Sequence, residues 1–337
     1  MAPAERLLEL IDRFERTSVL LLGDLVLDRF ILGTPKRISR EAPVIILRHE
    51  GQRDVPGGAA NALANLAALG VSALPVGVVG TDESGDALLA ALADRGIDTS
   101  SILQVTGYRT ATKVRILGGG SSSLKHQVAR FDIEDRLPVD GGWSSRLLEH
   151  IDRRLETADA AAVSDYGYGT AFGAAVARIM SRDGGAIWTC ADSRYRIREL
   201  KGVSGATPNL GELERAAGRP LETDAEVAAA ADELRGHLGA RFVLATRGNR
   251  GMTLVQQDRE PIHIPVYGTD EVADVTGAGD TVLAVLTAAL AAGADPEEAA
   301  RMANYGGGVV VMKLGTATVT RDELRQAVIR DCGGAAV

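Results

Sequence analysis

Val19-Leu20-Leu21-Leu22-Gly23-Asp24 is a short apolar run closed by Gly-Asp. Apolarity without alternation marks a strand buried on both faces, as in a parallel sheet, and its carboxyl end falls where such sheets open into a ligand crevice. Similar runs recur at residues 73–79, 160–164, 186–190 and 242–246, and between them lie Ala- and Leu-rich segments of helix length at 61–69, 85–95, 171–181 and 224–238. This alternation predicts an α/β fold, a doubly wound, mostly parallel sheet with helices on both faces. Two stretches break the pattern, 44–55 and 110–133, where Val, Ile and Thr alternate with charged residues around Gly118-Gly119-Gly120. They predict antiparallel strands forming a small β lid, with lid segments at about 35–56 and 108–134 and a flexible loop at 118–123. We expect residues 1–337 to form one such domain with its lid.

With 45% apolar residues the chain has ample material for a core. The net charge of −8 and the lack of a basic tract argue against a nucleic-acid partner. Cys190 and Cys332 lie far apart without metal-like spacing, which fits a reducing compartment and no disulfide. Residues 4–16 mix charges among apolar positions, as in an amphipathic helix and not a signal peptide, and no later run is long and uncharged enough to span a bilayer. The expected location is the cytosol, with no membrane partner.

Asp274-Val275-Thr276-Gly277-Ala278-Gly279-Asp280 precedes an Ala-rich helix-like run at 282–292. Small residues at a helix N-terminus let backbone N–H groups approach a phosphate, and Asp280 beside them could stay ionised and accept a proton from an attacking hydroxyl. An ordinary strand-to-helix turn with an Asp cap reads equally well on this motif alone. Gly57-Gly58-Ala59-Ala60-Asn61 also opens a helix, with glycines for close backbone approach and Asn61 as donor and acceptor for a polyol or as a plain cap. Asp24 and Asp28 could accept bonds from sugar hydroxyls, or one could cap a turn. Asn209 and Glu212 are three residues apart, suited to nucleotide phosphates and the water shell of magnesium, or to a helix start. Thr246, Gly248 and Gly251 follow an apolar strand and would let a nucleotide lie on the backbone, or form a surface turn. Asp165, in Ser164-Asp165-Tyr166-Gly167, is a substrate or metal contact or a strand-end turn. His49, His126, His150, His237 and His263 show no ligand spacing.

Together these residues resemble the ribokinase-like (PfkB) carbohydrate kinases, from about Val19 to Thr320. Gly57, Gly58, Asn61, Gly70 and Gly80 match the first family signature, with Leu63 where a small residue is usual; residues 274–280 match the second, with Val285 in place of Ala or Gly. The resemblance implies that Asp280 is the catalytic base and that Gly277, Ala278 and Gly279 form an anion hole. It further implies that Asn209 and Glu212 serve phosphate and Mg2+ through water, and that Thr246, Gly248 and Gly251 line ATP. Asp274, the Thr276 carbonyl and the surroundings of Gly315 match where some members hold a monovalent cation, K+ included.

A narrower likeness, to the heptose 7-phosphate kinase branch, rests on residues 23–30, 37–44, 164–167 and Lys313-Leu314-Gly315-Thr316-Ala317-Thr318-Val319. It implies transfer from ATP to the anomeric hydroxyl of D-glycero-D-manno-heptose 7-phosphate. Bifunctional members carry a further domain with a His-x-Gly-His motif, which does not occur here, so a stand-alone kinase is expected. A sugar phosphate needs a cationic anchor, and Arg37, Arg109, Lys113 and Arg115 are the candidates, Arg109 and Lys113 foremost because they flank lid strands. Another sugar, sugar phosphate or nucleoside acceptor, or a non-catalytic binder, are the alternatives. Apolar alternation in the lid predicts a lid-to-lid homodimer.

Overall fold

The computed structural model describes residues 4–119, 125–138, 142–181, 187–268 and 274–333, with side chains to 331. Residues 120–123 of the expected glycine loop, Ala186 and the Cys332 side chain lie outside them. Numbered in chain order, the main sheet contains β1 (Ser18–Gly23), β4 (Ser72–Gly80), β5 (Ile102–Val105), β8 (Ala160–Asp165), β9 (Trp188–Ser193), β10 (Gly205–Ala206), β11 (Phe242–Thr246), β12 (Met252–Gln256) and β13 (Ile262–Ile264). The lid contains β2 (Leu25–Ile38), β3 (Ile45–Gly58), β6 (Thr112–Gly118) and β7 (His126–Ile133). The helices are α1 (Ala4–Asp12), α2 (Ala59–Ala68), α3 (Glu83–Ala93), α4 (Trp143–Leu155), α5 (Gly173–Ser181), α6 (Leu210–Ala217), α7 (Asp224–Leu238), α8 (Ala278–Ala291), α9 (Pro296–Val310) and α10 (Arg321–Gly333).

The apolar run at 19–22 is wholly buried in β1, between β4 and β8 and parallel to both. The sheet order is β13-β12-β11-β10-β9-β8-β1-β4-β5, and only β12 and β13 run antiparallel to their neighbours. One core, with Leu63, Leu283, Met302 and Leu324, lies on the α2, α8, α9 and α10 face; a second, with Leu147, Ile179 and Leu234, lies under α4, α5 and α7. The α/β class expected from the sequence is therefore present, and the carboxyl ends of β1, β8 and β9 open into a shared crevice.

Helix α8 is apolar on all sides and buried from Asp280 to Leu290, as a helix wedged between sheet and helices must be. The unusual Val285 finds room because α9 presents Gly306 to it: a Cβ there would stand 2.7 Å from Val285 Cγ2. Leu63, the other departure, is fully buried in the same core.

The lid differs from expectation in two ways. It begins at Leu25, ten residues earlier than expected, because β2 continues almost directly from β1 into a 14-residue strand. Its pairing is also mixed: β3 lies antiparallel to β2 and β7 antiparallel to β6, but β2 and β6 run parallel. Asp28 lies in register with Lys113 and Phe30 with Arg115, so the two-residue period places these four on one face.

Candidate active site

Gly277 turns the chain into α8 at φ +82°, and a Cβ on it would lie 2.5 Å from Asn61 Nδ2; only glycine combines that turn with that approach. The turn delivers Asp280 to the first turn of α8, where it is buried. Tyr166 donates its hydroxyl to Asp280 Oδ1 at 2.8 Å, and Asn61 Nδ2 donates to Oδ2 at 3.2 Å and to the Gly277 carbonyl at 3.3 Å. The Asn61 amide, expected to meet a polyol, here holds the carboxylate. Asp280 itself, expected to be able to stay ionised, sits in surroundings that pull both ways. Burial pushes its pKa up to about 7, against the opposing pull of the Tyr166 and Asn61 bonds and the Lys113 charge, with Asp28 adding to the rise. A carboxyl tuned to that range accepts a proton readily near neutral pH.

Two cavities flank this buried carboxyl, one lined by its neighbour Gly279 and the other by its hydrogen-bond partner Tyr166. An apolar slot of about 310 Å³ is lined by Thr246, Gly248 and Gly251 together with Ala278 and Gly279, so the nucleotide and anion-hole motifs share one site. Its far wall, Asn304, Gly307 and Gly308 of α9, was missed in the sequence, although Gly306-Gly307-Gly308 inside a helix is a visible signal of close approach. Ala278 spends its N–H on the Val275 carbonyl at 3.3 Å, whereas helix geometry leaves the Gly279 and Asp280 amides without intrahelical acceptors. On the other side of Asp280, beneath the lid, lies a polar cavity of about 550 Å³ lined by Lys113, Arg130, Asp132, Tyr166 and Arg194 among others.

Both oxygens of Asp24, expected to meet sugar hydroxyls, are taken up by backbone donors. Its Oδ2 accepts the N–H groups of Tyr166 at 2.8 Å and Tyr168 at 3.0 Å, and its Oδ1 that of Thr170 at 2.9 Å. Burial raises its pKa in spite of these bonds, and the effect of the bonds is to pin the loop after β8. Asp165 is likewise engaged, accepting from Ser193 at 2.6 Å and from Arg196 at 2.6 and 3.2 Å, so the strand-end turn describes it. Asp28 is buried, 2.5 Å from Arg115 Nη1 and bonded by Thr316 at 2.8 Å, and it packs so closely on Gly57 that a Cβ there would lie 2.6 Å from Oδ2. Gly58 is buried at the junction of β3 and α2.

Asn209 and Glu212 form a reciprocal capping box on α6, Asn209 N–H to Glu212 Oε2 at 2.9 Å and Glu212 N–H to Asn209 Oδ1 at 3.0 Å. Asn209 also bridges Thr246, which ties the cap to the slot. Asp192, which sequence reasoning passed over, is half-buried two residues before Arg194, and its shielded Oδ1 has no hydrogen-bond partner. Burial and then the Glu212 charge hold Asp192 well above the carboxylate range; burial raises Glu212 as well. Asp274 ties Thr276 and Gly315 together through their N–H groups, at 2.9 and 3.1 Å. Among the described residues no three His, Cys, Asp or Glu side chains converge as direct metal ligands.

Of the four candidate anchors, Lys113 alone lines the polar cavity. Arg115 is committed to Asp28, Arg37 is exposed at the far end of β2, and the Arg109 side chain is 67% exposed beside Asp135. Arg130, Arg136 and Arg194 supply the positive charge that the sequence did not single out.

A fold of this kind, with a buried carboxyl between an apolar slot and a lidded polar cavity, is that of a phosphotransferase. Residues 16–126 and 172–323 match the model of the pfkB family carbohydrate kinases. The chain is 42% identical over 96% of its length to a protein of Mesorhizobium japonicum named bifunctional protein HldE, and 40% identical over 94% to its namesake in Nitrosococcus oceani; it spans 64% of each. Among solved structures it resembles Arabidopsis thaliana ribokinase complexed with ribose and ATP (TM-score 0.70, 20% identity, 93% of this chain and 98% of that one). It also resembles phosphofructokinase-2 from Escherichia coli in complex with substrates and products (TM-score 0.74, 21% identity, 93% and 99%). The chain belongs to the pfkB family of carbohydrate kinases and is an ATP-dependent sugar kinase. No helix among the described residues is long and apolar enough to cross a membrane.

Proposed function

We propose that the chain phosphorylates the anomeric hydroxyl of D-glycero-D-manno-heptose 7-phosphate, giving the 1,7-bisphosphate. The observation that carries this reading is the place of Asp280 between the apolar slot and the polar cavity, reached from the first by Gly279 and from the second by Tyr166. The four segments resembling the heptose 7-phosphate kinases and the identity to the HldE proteins support the choice of acceptor. ATP lies in the slot with its γ-phosphate at the α8 amides. Asp280 takes the proton of the attacking hydroxyl as the new O–P bond forms and the bond to ADP breaks, and the amides face the charge gathering on the transferred group. The distal phosphate of the acceptor meets Lys113, with Arg130 and Arg194 in the same cavity.

Asp192 and Glu212 fit a magnesium ion held through its waters: one buried oxygen of Asp192 lacks any partner, and burial raises both carboxyls, Glu212 in spite of the Arg215 and Arg194 charges nearby. The ion would neutralise charge on the ATP phosphates. Asp274 with Thr276 and Gly315 offers oxygen donors of the kind a potassium ion takes. The lids, with Ile38, Val44, Ile45, Val128 and Phe131 exposed, pair two copies as a homodimer.

The test is ADP release with MgATP and a panel headed by the heptose phosphate, with fructose 6-phosphate, ribose and adenosine beside it. Turnover on the heptose phosphate alone, reduced about 10²–10⁴-fold in Asp280→Asn, is expected. Turnover on another acceptor, or none, overturns the choice of substrate.

A further inference from the structure

Ser164-Asp165-Tyr166-Gly167 contains one side chain that the capping, the packing and the phosphoryl transfer described above leave without a task. Tyr166 is fixed at three points. Its backbone N–H is held by Asp24, its ring lies with Lys113 Nζ 4.7 Å from the centroid, and its hydroxyl bonds Asp280 Oδ1 at 2.8 Å. Asn61 grips the opposite oxygen of the same carboxyl, so the carboxyl is held at both ends and its plane is set. We infer that Tyr166 is a positioning residue for the base: its hydroxyl, aimed by the Asp24-pinned loop, orients the Asp280 carboxylate and favours the ionised form that takes the acceptor's proton. The inference rests on the reading of Asp280 as that base.

The groups facing Asp280 from each element leave this task to a neutral donor. From β6, Lys113 favours the ionised form; from β2, Asp28 opposes it, as does Asp192 of β9; from α2 comes uncharged Asn61. Burial outweighs them, and the Tyr166 bond is the largest opposing influence. The phenol itself never competes for the proton, since burial and the Asp280 charge hold its own pKa well above 10. It can only donate, and a donor to a charged carboxylate stabilises that form.

The experiment follows the acid limb of kcat from about pH 5.5 to 9 in wild type, in Tyr166→Phe and in a chain carrying 3-fluorotyrosine at 166, and titrates the 13C-labelled Asp280 carboxyl by NMR in the free protein. In Tyr166→Phe both limb and titration should move up by about 1 to 2 pH units, with activity at pH 7 down about tenfold or more, recovery at high pH and little change in acceptor KM. The more acidic fluorotyrosine donates more strongly and should move both down. Equal loss at every pH with an unmoved titration, or a raised acceptor KM alone, overturns the inference. Asp280→Asn run in parallel separates the two readings: if it keeps wild-type turnover the base reading fails, whereas if it is inactive and the Tyr166→Phe titration stays in place, only the role of Tyr166 fails.

Discussion

Asp28 and Arg115 stand 2.5 Å apart across two parallel lid strands, both almost wholly buried. The pair joins β2 to β6, and Arg115 also stacks on the Phe30 ring at 5.4 Å. Removing one member of a buried pair strands the other charge, at a cost of about 3–5 kcal/mol. Arg115→Ala should therefore lose about that much in urea denaturation. A loss below about 1 kcal/mol would show that solvent or Thr316 alone satisfies Asp28.

Burial of Asp280 makes stability depend on pH. Its folded pKa, about 7, lies above the unfolded value near 3.8, so the folded chain holds this proton more tightly. The stabilisation is complete below about pH 4 and is lost as pH rises through 7, a total of about 4 kcal/mol as an upper figure. Asp280→Asn cannot titrate, so its stability should fall less between pH 5 and 8 than that of wild type. Parallel curves for the two proteins would contradict the burial argument.

The same two residues, Asn209 and Glu212, serve a helix cap and stand near a candidate magnesium shell, and substitution can separate these tasks. Asn209→Ala loses the side-chain acceptor of the cap, which should lower stability by about 1 kcal/mol. Glu212→Gln keeps an oxygen for the Asn209 N–H but removes the charge, so thermal stability should hold while the magnesium concentration needed for half-maximal rate rises. A thermal loss in Glu212→Gln equal to that in Asn209→Ala would leave only the capping role.

The central strands were legible because burial on both faces demands an unbroken apolar run, which β1 and β11 display in sequence. The lid was legible only in part. Leu25 to Leu32 looks like an extension of the first strand, and the parallel pairing of β2 with β6 is set by contacts between residues 85 positions apart, such as Asp28 and Lys113, which no local pattern records. Site residues divide in the same way. The Gly277–Gly279 turn carries its backbone requirement in its composition, whereas Arg130 and Arg194 are basic residues without a motif that acquire meaning only when β7 and the end of β9 meet at one cavity. Asp24 and Asp165 show the converse: carboxylates at strand ends read as ligands, but the loops beside them offer N–H and guanidinium donors that consume them.

The exposed apolar side chains of the lid give the proposed dimer a direct test. Phe131 and Ile45 are 51% and 44% exposed on edge strands of the lid sheet, where a second lid would cover them. Wild type should scatter light as a dimer at micromolar concentration, and Phe131→Asp with Ile45→Asp should scatter as a folded monomer. A monomeric wild type would remove the lid interface.

Lys113 and Arg109, the two foremost candidate anchors four residues apart, should part company under mutation. The Lys113 ammonium is buried, its pKa lowered by desolvation despite Asp28 and Asp280 nearby, and among the described residues it forms no ion pair. A desolvated cation without an ion-pair partner, lining a cavity, gains most from an incoming phosphate, and a charge-assisted hydrogen bond of about 1.5–3 kcal/mol corresponds to about 10–100-fold in binding. Lys113→Ala should raise the KM for a phosphorylated acceptor by about that factor while affecting an unphosphorylated sugar much less. Arg109→Ala should leave both unchanged, because that side chain points into solvent beside Asp135. If Arg109→Ala raised the KM and Lys113→Ala did not, the anchor would lie outside the polar cavity, and the lid would have to close in a different sense from the one its present face defines.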